Sequence, residues 1–574
     1  MDKHIAPVDA DQMRGLRTPD KVMRLERMGC FHASPLSFMR QLTARAVRDN
    51  WQFSMAEWQV DAQGVGHAVL RAQTGAQTGA RTYSLVAFFH DLPDELRSDR
   101  VIATAWDATF ALFDGVPDAA DLKRLAANVP VQEAGRISAT ELTLSRANRS
   151  VRLWERVVDA LANGQQPDTS ELGEVGYLMR TTAVYGSGKF GAVDYEAIAT
   201  RPEVSAPFQA EMLTVYLIRW AVIELVEHMA RARAAAQGTQ PVTLDGDIAR
   251  GLGIGNSTGL GMAPFLVTHP KLIHAWVSAR EQALALVRRQ STPDAEAWGL
   301  VLALAQIMAA KVATWRTDHP RQQVRDAELA GDLAQIIAHM GAGATTWDAL
   351  VVWSETALSL EGQEWLVSAL LEPYTAQLHE IAANMSAPSE AQRIDGQMTV
   401  SSLKALISRH YPWAIGTNWA EAQAQARVWY TSAEKLEPRL GERAEEPVED
   451  YEQPLAPGRD IATLQKMLRA WPDDAPVAAF ALANPALRHA LRRVQVIADH
   501  PFGEIQDNTI AAQMMPIDLL RAKLSFFGAQ RFDPRSDRWL RICMFAGAPL
   551  PPDLSAQSEC RWPYWQAPWE GAGA

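Results

Sequence analysis

Two stretches of this chain carry the residue types that hold anions. The first, Arg180 to Gly191, reads RTTAVYGSGKFG. The second, Gly251 to Trp276, reads GLGIGNSTGLGMAPFLVTHPKLIHAW. Glycine is costly to order, so a cluster has a reason: it supplies positive φ, or it lets backbone N–H groups approach a ligand. A glycine-bearing loop that feeds a helix also presents orphan N–H donors and the positive end of a dipole to an anion.

Polar and cationic side chains stand among these glycines. They are Arg180, Thr181, Thr182, Tyr185, Ser187 and Lys189 in the first stretch, and Asn256, Ser257, Thr258 and Lys271 in the second. Arg180 suits bidentate binding of a carboxylate or phosphate, and Lys189 acts as a point charge. His269 is the general acid–base candidate, because imidazole titrates near neutrality. The expectation is one pocket for a small carboxylate- or phosphate-bearing metabolite, built from loops 180–191 and 253–271. The plainer alternative is connection: a β-turn with an exposed Lys189, and glycines that let two helices cross closely.

Several sharper chemistries are excluded by spacing. Gly186 to Gly191 lacks the glycine and hydroxyl of a P-loop, since Ala183 and Phe190 stand at those positions. The second stretch follows no convincing strand, so the dinucleotide fingerprint is unsupported. No HExxH, repeated ExxH or GxSxG occurs. Cys30, Cys543 and Cys560 are far apart and form no zinc pattern. His228, His274, His339 and His379 fall singly on expected helices and read as structural. In Asp499 to Asn508, His500, Glu504, Asp507 and Asn508 suit either a cation or the capping of a flanking helix. Tyr411, Trp413 and Trp419 suit packing, or stacking on a ring.

The elements around these residues read as mainly α: a helical bundle core, a small α+β N-terminal portion and a smaller mixed C-terminal unit. Residues 1–49 form a polar arm and helix, with Arg14, Arg17, Lys21, Arg24 and Arg27 on a solvated face. Residues 50–170 form a small α+β domain, with a hairpin from Gly66–Arg71 and Thr82–His90 and helices at 119–129 and 138–163. Residues 171–440 form a helical core domain, where Phe208, Met212, Val215, Ile218, Val222 and Leu225 make an apolar stripe. Residues 441–458 are an acidic linker. Residues 459–574 form an α+β unit with a strand pair at Arg531–Asp533 and Trp539–Met544 and a Trp-rich tail, RWPYWQAPWEGAGA.

The 574 residues carry 55 basic and 67 acidic side chains, a net charge of −12. That balance disfavours a general nucleic-acid binder. The N-terminus has no apolar signal core, and the most apolar segment, Met212 to Met229, is broken by Arg219, Glu224 and Glu227. A cytoplasmic protein without membrane partners is expected, with self-association left open. The functional expectation is an enzyme of unassigned reaction acting on a small anionic metabolite. No cofactor is specified, although a phosphate-bearing one fits the pocket. The alternative is a non-catalytic helical scaffold using Trp-rich surfaces for protein contacts.

Overall fold

The longest helix, Gln209–Gln237, is buried on every side along its first four turns, from Gln209 to Ile223. A helix apolar all round belongs inside a core rather than on a surface. The computed structural model describes residues 15–30, 32–75, 79–93, 105–131, 138–186, 189–190, 201–206, 208–256, 270–290, 293–315, 320–383, 385, 394–421, 429–431, 438–440, 453–455, 457–506, 528, 531–533 and 541–570. The chain divides into two units, each gathered from three stretches. One comprises 31–259, 295–344 and 524–574; the other comprises 1–30, 260–294 and 345–523.

The unit around the long helix is built on a sheet. Its strands are β1 Gln52–Val60, β2 Gly66–Gln73, β3 Thr82–Phe89, β4 Ala108–Asp114, β5 Glu141–Arg149, β6 Tyr177–Gly186, β7 Lys189–Phe190 and β8 Gly253–Asn256. After β9 Trp429–Thr431, β10 Pro438–Leu440 and β11 Gln453–Leu455, a separate small sheet of the other unit, come β12 Arg531–Asp533 and β13 Arg541–Met544. The ten-stranded sheet runs β1-β2-β3-β4-β5-β6-β8-β13-β12, with β7 folded back on β6. Neighbours are antiparallel except β6 and β8, which are parallel. The long helix packs against β2 to β6 and β8, and helices Phe38–Arg48 and Trp154–Ala162 cover its other sides.

This overturns the expected fold class. The core of this unit is a large mixed sheet on a central helix, not a helical bundle with a small α+β appendage. The expected hairpin exists as β2–β3, and the expected C-terminal strand pair exists as β12–β13. Residues 138–163, expected as one helix, split into β5 and helix Trp154–Ala162. The cause is burial on both faces. Seven of the eight residues of β3 are buried, so the strand reads as a continuous apolar run, which periodicity cannot tell from helix. A second, smaller core lies on the face away from the central helix: Val69, Val86, Phe88, Ala111, Phe113 and Leu144 pack under Leu125 of helix Ala119–Asn128.

The Ala295–Thr314 helix, which packs on Pro320–Gly341, is long and apolar enough by composition to cross a membrane. Its buried positions include Trp298, Val301, Leu304, Met308 and Val312.

Arg219, in the middle of the central helix, is 1 % exposed. Its Nε donates to Leu252 O at 2.7 Å, Nη1 to Pro549 O at 3.3 Å, and Nη2 to Ala249 O at 3.3 Å and Arg250 O at 2.7 Å. Tyr216, one turn earlier, donates its hydroxyl to Pro549 O at 2.9 Å. Three of the four carbonyls belong to the end of helix Gly246–Gly251 and the residue after it, where unsatisfied carbonyls and the negative end of the dipole favour a cation. Burial pulls the guanidinium down to about 10, with nearby Arg250 acting in the same direction. It therefore stays charged at neutral pH.

The other unit is helical. Helices Pro270–Arg288, Trp347–Ala357 and Leu360–Ala369 pack with the N-terminal residues. A second group, Val400–His410, Pro412–Gly416, Pro457–Leu468, Val477–Ala483 and Arg488–Asp499, shares a core of Leu403, Ile407, Tyr411, Leu464, Phe480 and Leu491. The N-terminal arm is not a solvated basic face throughout. Arg17 and Arg27 are buried. Arg17 bridges Glu281 at 2.8 Å and Glu364 at 2.8 Å, Arg27 reaches Glu364 at 3.0 Å, and Arg280 reaches Glu281 at 3.1 Å. Burial alone would raise the Glu364 carboxyl, but Arg17, Arg280 and Arg27 pull it down to about 2.

Two stability outcomes follow. Replacing Arg219 by Met leaves four carbonyl oxygens without this donor and should cost about 3 kcal/mol in urea unfolding; an unchanged midpoint would count against the anchoring role. Glu364→Gln leaves buried guanidinium charge under-compensated and should cost about 3–5 kcal/mol at neutral pH. The folded pKa of Glu364 lies below the ordinary 4.5, so this stabilisation is complete above about pH 4.5 and fades as pH falls through 2. The gap between wild type and Glu364→Gln, followed by urea melts at several pH values, should narrow over that range.

Candidate sheet-face site

The two glycine-bearing stretches meet as neighbouring strands. β6 runs parallel to β8, with Tyr177 opposite Gly253, Arg180 opposite Gly255 and Thr181 opposite Asn256. Thr181 Oγ1 donates to Gly255 O at 3.5 Å. Thr182 and Tyr185 lie in β6, and Lys189 lies in β7 opposite Gly186. The side chains of these three, and of Asn256, are outside the described residues, as are Ser187, Ser257, Thr258 and His269 altogether. Lys271 stands in the first turn of helix Pro270–Arg288, in the other unit, where burial lowers His500 and the Lys271 charge acts in the same direction.

One glycine here has a packing reason. A Cβ on Gly255 would sit 2.6 Å from the ring of Tyr177. Any side chain there would collide with the ring, so the glycine makes room for Tyr177 against the backbone of β8.

The sequence reading missed what lies across β6. On β5, Thr143 Oγ1 shares a hydrogen bond of 2.6 Å with Thr214 of the central helix, and Leu144 belongs to the outer core. Side chains alternate along a strand. Arg146 and Asn148 therefore share the outer face with Leu144. Asn148 is the register partner of Arg180, and Arg146 is the partner of Thr109 on β4. Directly paired residues of antiparallel strands project to the same side. Arg146, Asn148, Arg180 and Thr109 thus form one polar strip on the outer face. The Arg146 guanidinium lies over the Trp106 ring, 4.6 Å from its centroid, and Asn148 Nδ2 donates to Ala105 O at 3.5 Å. His90 Nε2 is 2.9 Å from Thr109 Oγ1, and burial lowers that imidazole below its ordinary value. Arg180 is 7 % exposed. Guanidinium and amide groups are planar donors of the type that binds a carboxylate or phosphate, and Arg146 and Arg180 also have partners within the protein. The period-2 placement of Arg146 and Asn148 after Leu142 and Leu144 is the signal of this face in the sequence, and a single helix over 138–163 hides it.

The other candidate residues have structural partners. His228 Nε2 is 2.8 Å from Asp61 O, and its Nδ1 is 3.3 Å from Trp58 Nε1. His274 Nδ1 accepts the Phe502 N–H at 3.1 Å. In the 499–508 stretch, Glu504 pairs with buried Arg493 and accepts from the Tyr411 hydroxyl at 3.2 Å, while Asp507 and Asn508 lie outside the described residues. Trp413 and Trp419 pack on Gly458. Among the described residues no group of His, Cys, Asp and Glu side chains is arranged to hold a metal ion.

No family model matches the chain, and no solved structure matches it. One curated protein is similar, the HTH-type transcriptional regulator Cmr of Mycobacterium tuberculosis. It is 27 % identical over 161 residues, which cover 24 % of this chain and 66 % of the regulator. The chain thus spans a little under two thirds of that relative's length.

Burial and the charge of His500 lower His274 from 6.5 to about 3. A group depressed on folding contributes stability above its unfolded pKa and loses it as pH falls toward the folded one. In NMR titrations the His274 ring should stay neutral at pH 5. The wild type should lose stability between pH 6.5 and 3 more steeply than His274→Gln does, and equal slopes would contradict a buried neutral imidazole.

Proposed function

We propose that this chain binds a small carboxylate- or phosphate-bearing metabolite on the outer sheet face, at Arg146, Asn148 and Arg180. One observation carries the reading: β5 and β6 bring two guanidiniums and an amide to one face, beside β8 of the second glycine stretch. Arg146 is braced by Trp106, and Arg180 is held in a largely buried position, which favours fixed rather than diffuse recognition. His90, held by Thr109 on the same face, is the imidazole from which acid–base chemistry would start. The proposal includes an enzyme of unassigned reaction and a cytoplasmic setting, the latter supported by three free cysteines.

The test is thermal stabilisation by phosphate, short carboxylates, sugar phosphates and nucleotides. A ligand at about one hundred times its Kd should stabilise the wild type by roughly 2.7 kcal/mol. Arg146→Met and Arg180→Met should each remove most of that increment. Retention of full stabilisation in both variants would sink the proposal.

A second reading, nucleic-acid binding, has its own support. Helices Pro457–Leu468, Val477–Ala483 and Arg488–Asp499 follow one another, with the last two joined across 484–487. This succession is that of a helix-turn-helix. The third helix exposes Arg488, His489 and Arg492 while it buries Leu491, Val494 and Ile497. The similar mycobacterial protein is an HTH-type regulator by name. Opposing it are the net charge of −12 and the pairing of His489 with Asp460 at 2.8 Å. Salt-dependent binding of duplex DNA that is lost in an Arg488→Ala, Arg492→Ala double variant would favour this reading over the first.

A further inference from the structure

On the outer-face strip, Asn148 Oδ1 and Trp106 Nε1 are buried atoms without a hydrogen-bond partner. Asn148 is 6 % exposed. Its amide nitrogen donates to Ala105 O at 3.5 Å, which leaves the oxygen as an acceptor in want of a donor. An indole nitrogen only donates, so Trp106 is in want of an acceptor. Buried polar groups are nearly always paired, and an exception at a site calls for a physical reason.

Both groups adjoin the arginines. The Trp106 ring lies under the Arg146 guanidinium, 4.6 Å away at its centroid. Asn148 stands two residues beyond Arg146 on β5 and directly opposite Arg180 on β6, a placement that brings Cβ atoms within about 5.5 Å. The guanidiniums already have partners within the protein. The amide oxygen and the indole N–H do not, so they are the groups with which a ligand gains most.

Resting on the anion site proposed above, we propose that its ligand is a 2-hydroxy acid, a carboxylate with a hydroxyl on the adjacent carbon. A hydroxyl combines donor and acceptor in one atom. It gives its proton to Asn148 Oδ1 and takes the Trp106 N–H on its oxygen, while the carboxylate faces the guanidiniums. An ammonium in its place supplies the donor but no acceptor, and it stands beside Arg146 and Arg180, where like charge is disfavoured. A plain carboxylate leaves both buried groups unpaired. A site whose polar groups pair with a substrate hydroxyl discriminates strongly against the analogue that lacks it.

The test titrates the full chain with glycolate, acetate and glycine, by calorimetry and saturation-transfer NMR of the probe protons. Glycolate should bind at least about tenfold tighter than acetate or glycine. Asn148→Val and Trp106→Phe, the second of which keeps a ring under Arg146, should each bring the glycolate-to-acetate ratio toward one and leave acetate affinity unchanged. Arg180→Met should weaken both anions alike. Melting curves should confirm that each variant is folded, and should Asn148→Val unfold the chain, Trp106→Phe decides. Equal affinities for glycolate and acetate, both weakened in Arg180→Met, would overturn the hydroxy-acid assignment and leave the anion site standing, with a water shared by the two groups in place of the hydroxyl. A ratio unmoved in both Asn148→Val and Trp106→Phe, or glycine bound more tightly than glycolate, would overturn the assignment as well. So would stabilisation by phosphate without saturable glycolate binding. No response to any anion would overturn the site together with the assignment.

Discussion

A guanidinium buried at the centre of a sheet-wrapped helix is the constraint on which the larger unit depends. Arg219 is satisfied by backbone carbonyls, not by a carboxylate. Those carbonyls come from two distant parts of the chain, 249–252 and Pro549. A buried charge is tolerated only with such complete coordination. The requirement fixes where helix Gly246–Gly251 ends, and it holds the segment following β13 beside it. β8 starts one residue beyond Leu252 and pairs with both β6 and β13. The sheet's continuation from its N-terminal strands to its C-terminal ones thus runs through the neighbourhood of one side chain.

The helical unit solves the same problem differently. Arg17, Arg27 and Arg280 face Glu281 and Glu364 in a buried cluster. Here charge meets charge, and the carboxylates are held well below their ordinary range despite burial. Such a cluster is weak evidence of net stability against an apolar replacement, yet removal of one member is costly. Its consequence is positional. It ties the N-terminal arm to helices that lie about 260 and 350 residues later in sequence.

Glycine plays a single physical role in the places where it is most informative. At Gly255 it admits the ring of Tyr177, and at Gly251 it admits Trp569. Both are close approaches of an aromatic ring to a backbone, not a cradle of N–H groups around an anion. The tail indoles Trp562, Trp565 and Trp569 line a cleft within the same unit.

The sequence by itself determined the hairpin of β2 and β3, the C-terminal strand pair, the predominance of helix beyond them, and Arg180 as a cation beside a glycine stretch. These are local matters: alternation, turn residues and apolar periodicity act over a few residues. It did not reveal the sheet. β3, β4 and β5 are covered on both faces, so their apolar runs carry no alternation, and the central helix is covered all round, so its stripe understated its burial. Nor did it reveal the partners of Arg180. Asn148, Arg146 and Gly255 become its neighbours only through strand register, which depends on pairings between segments up to about 75 residues apart. Tertiary structure decided these because long-range pairing follows from which surfaces can be buried together, and no local pattern encodes that choice.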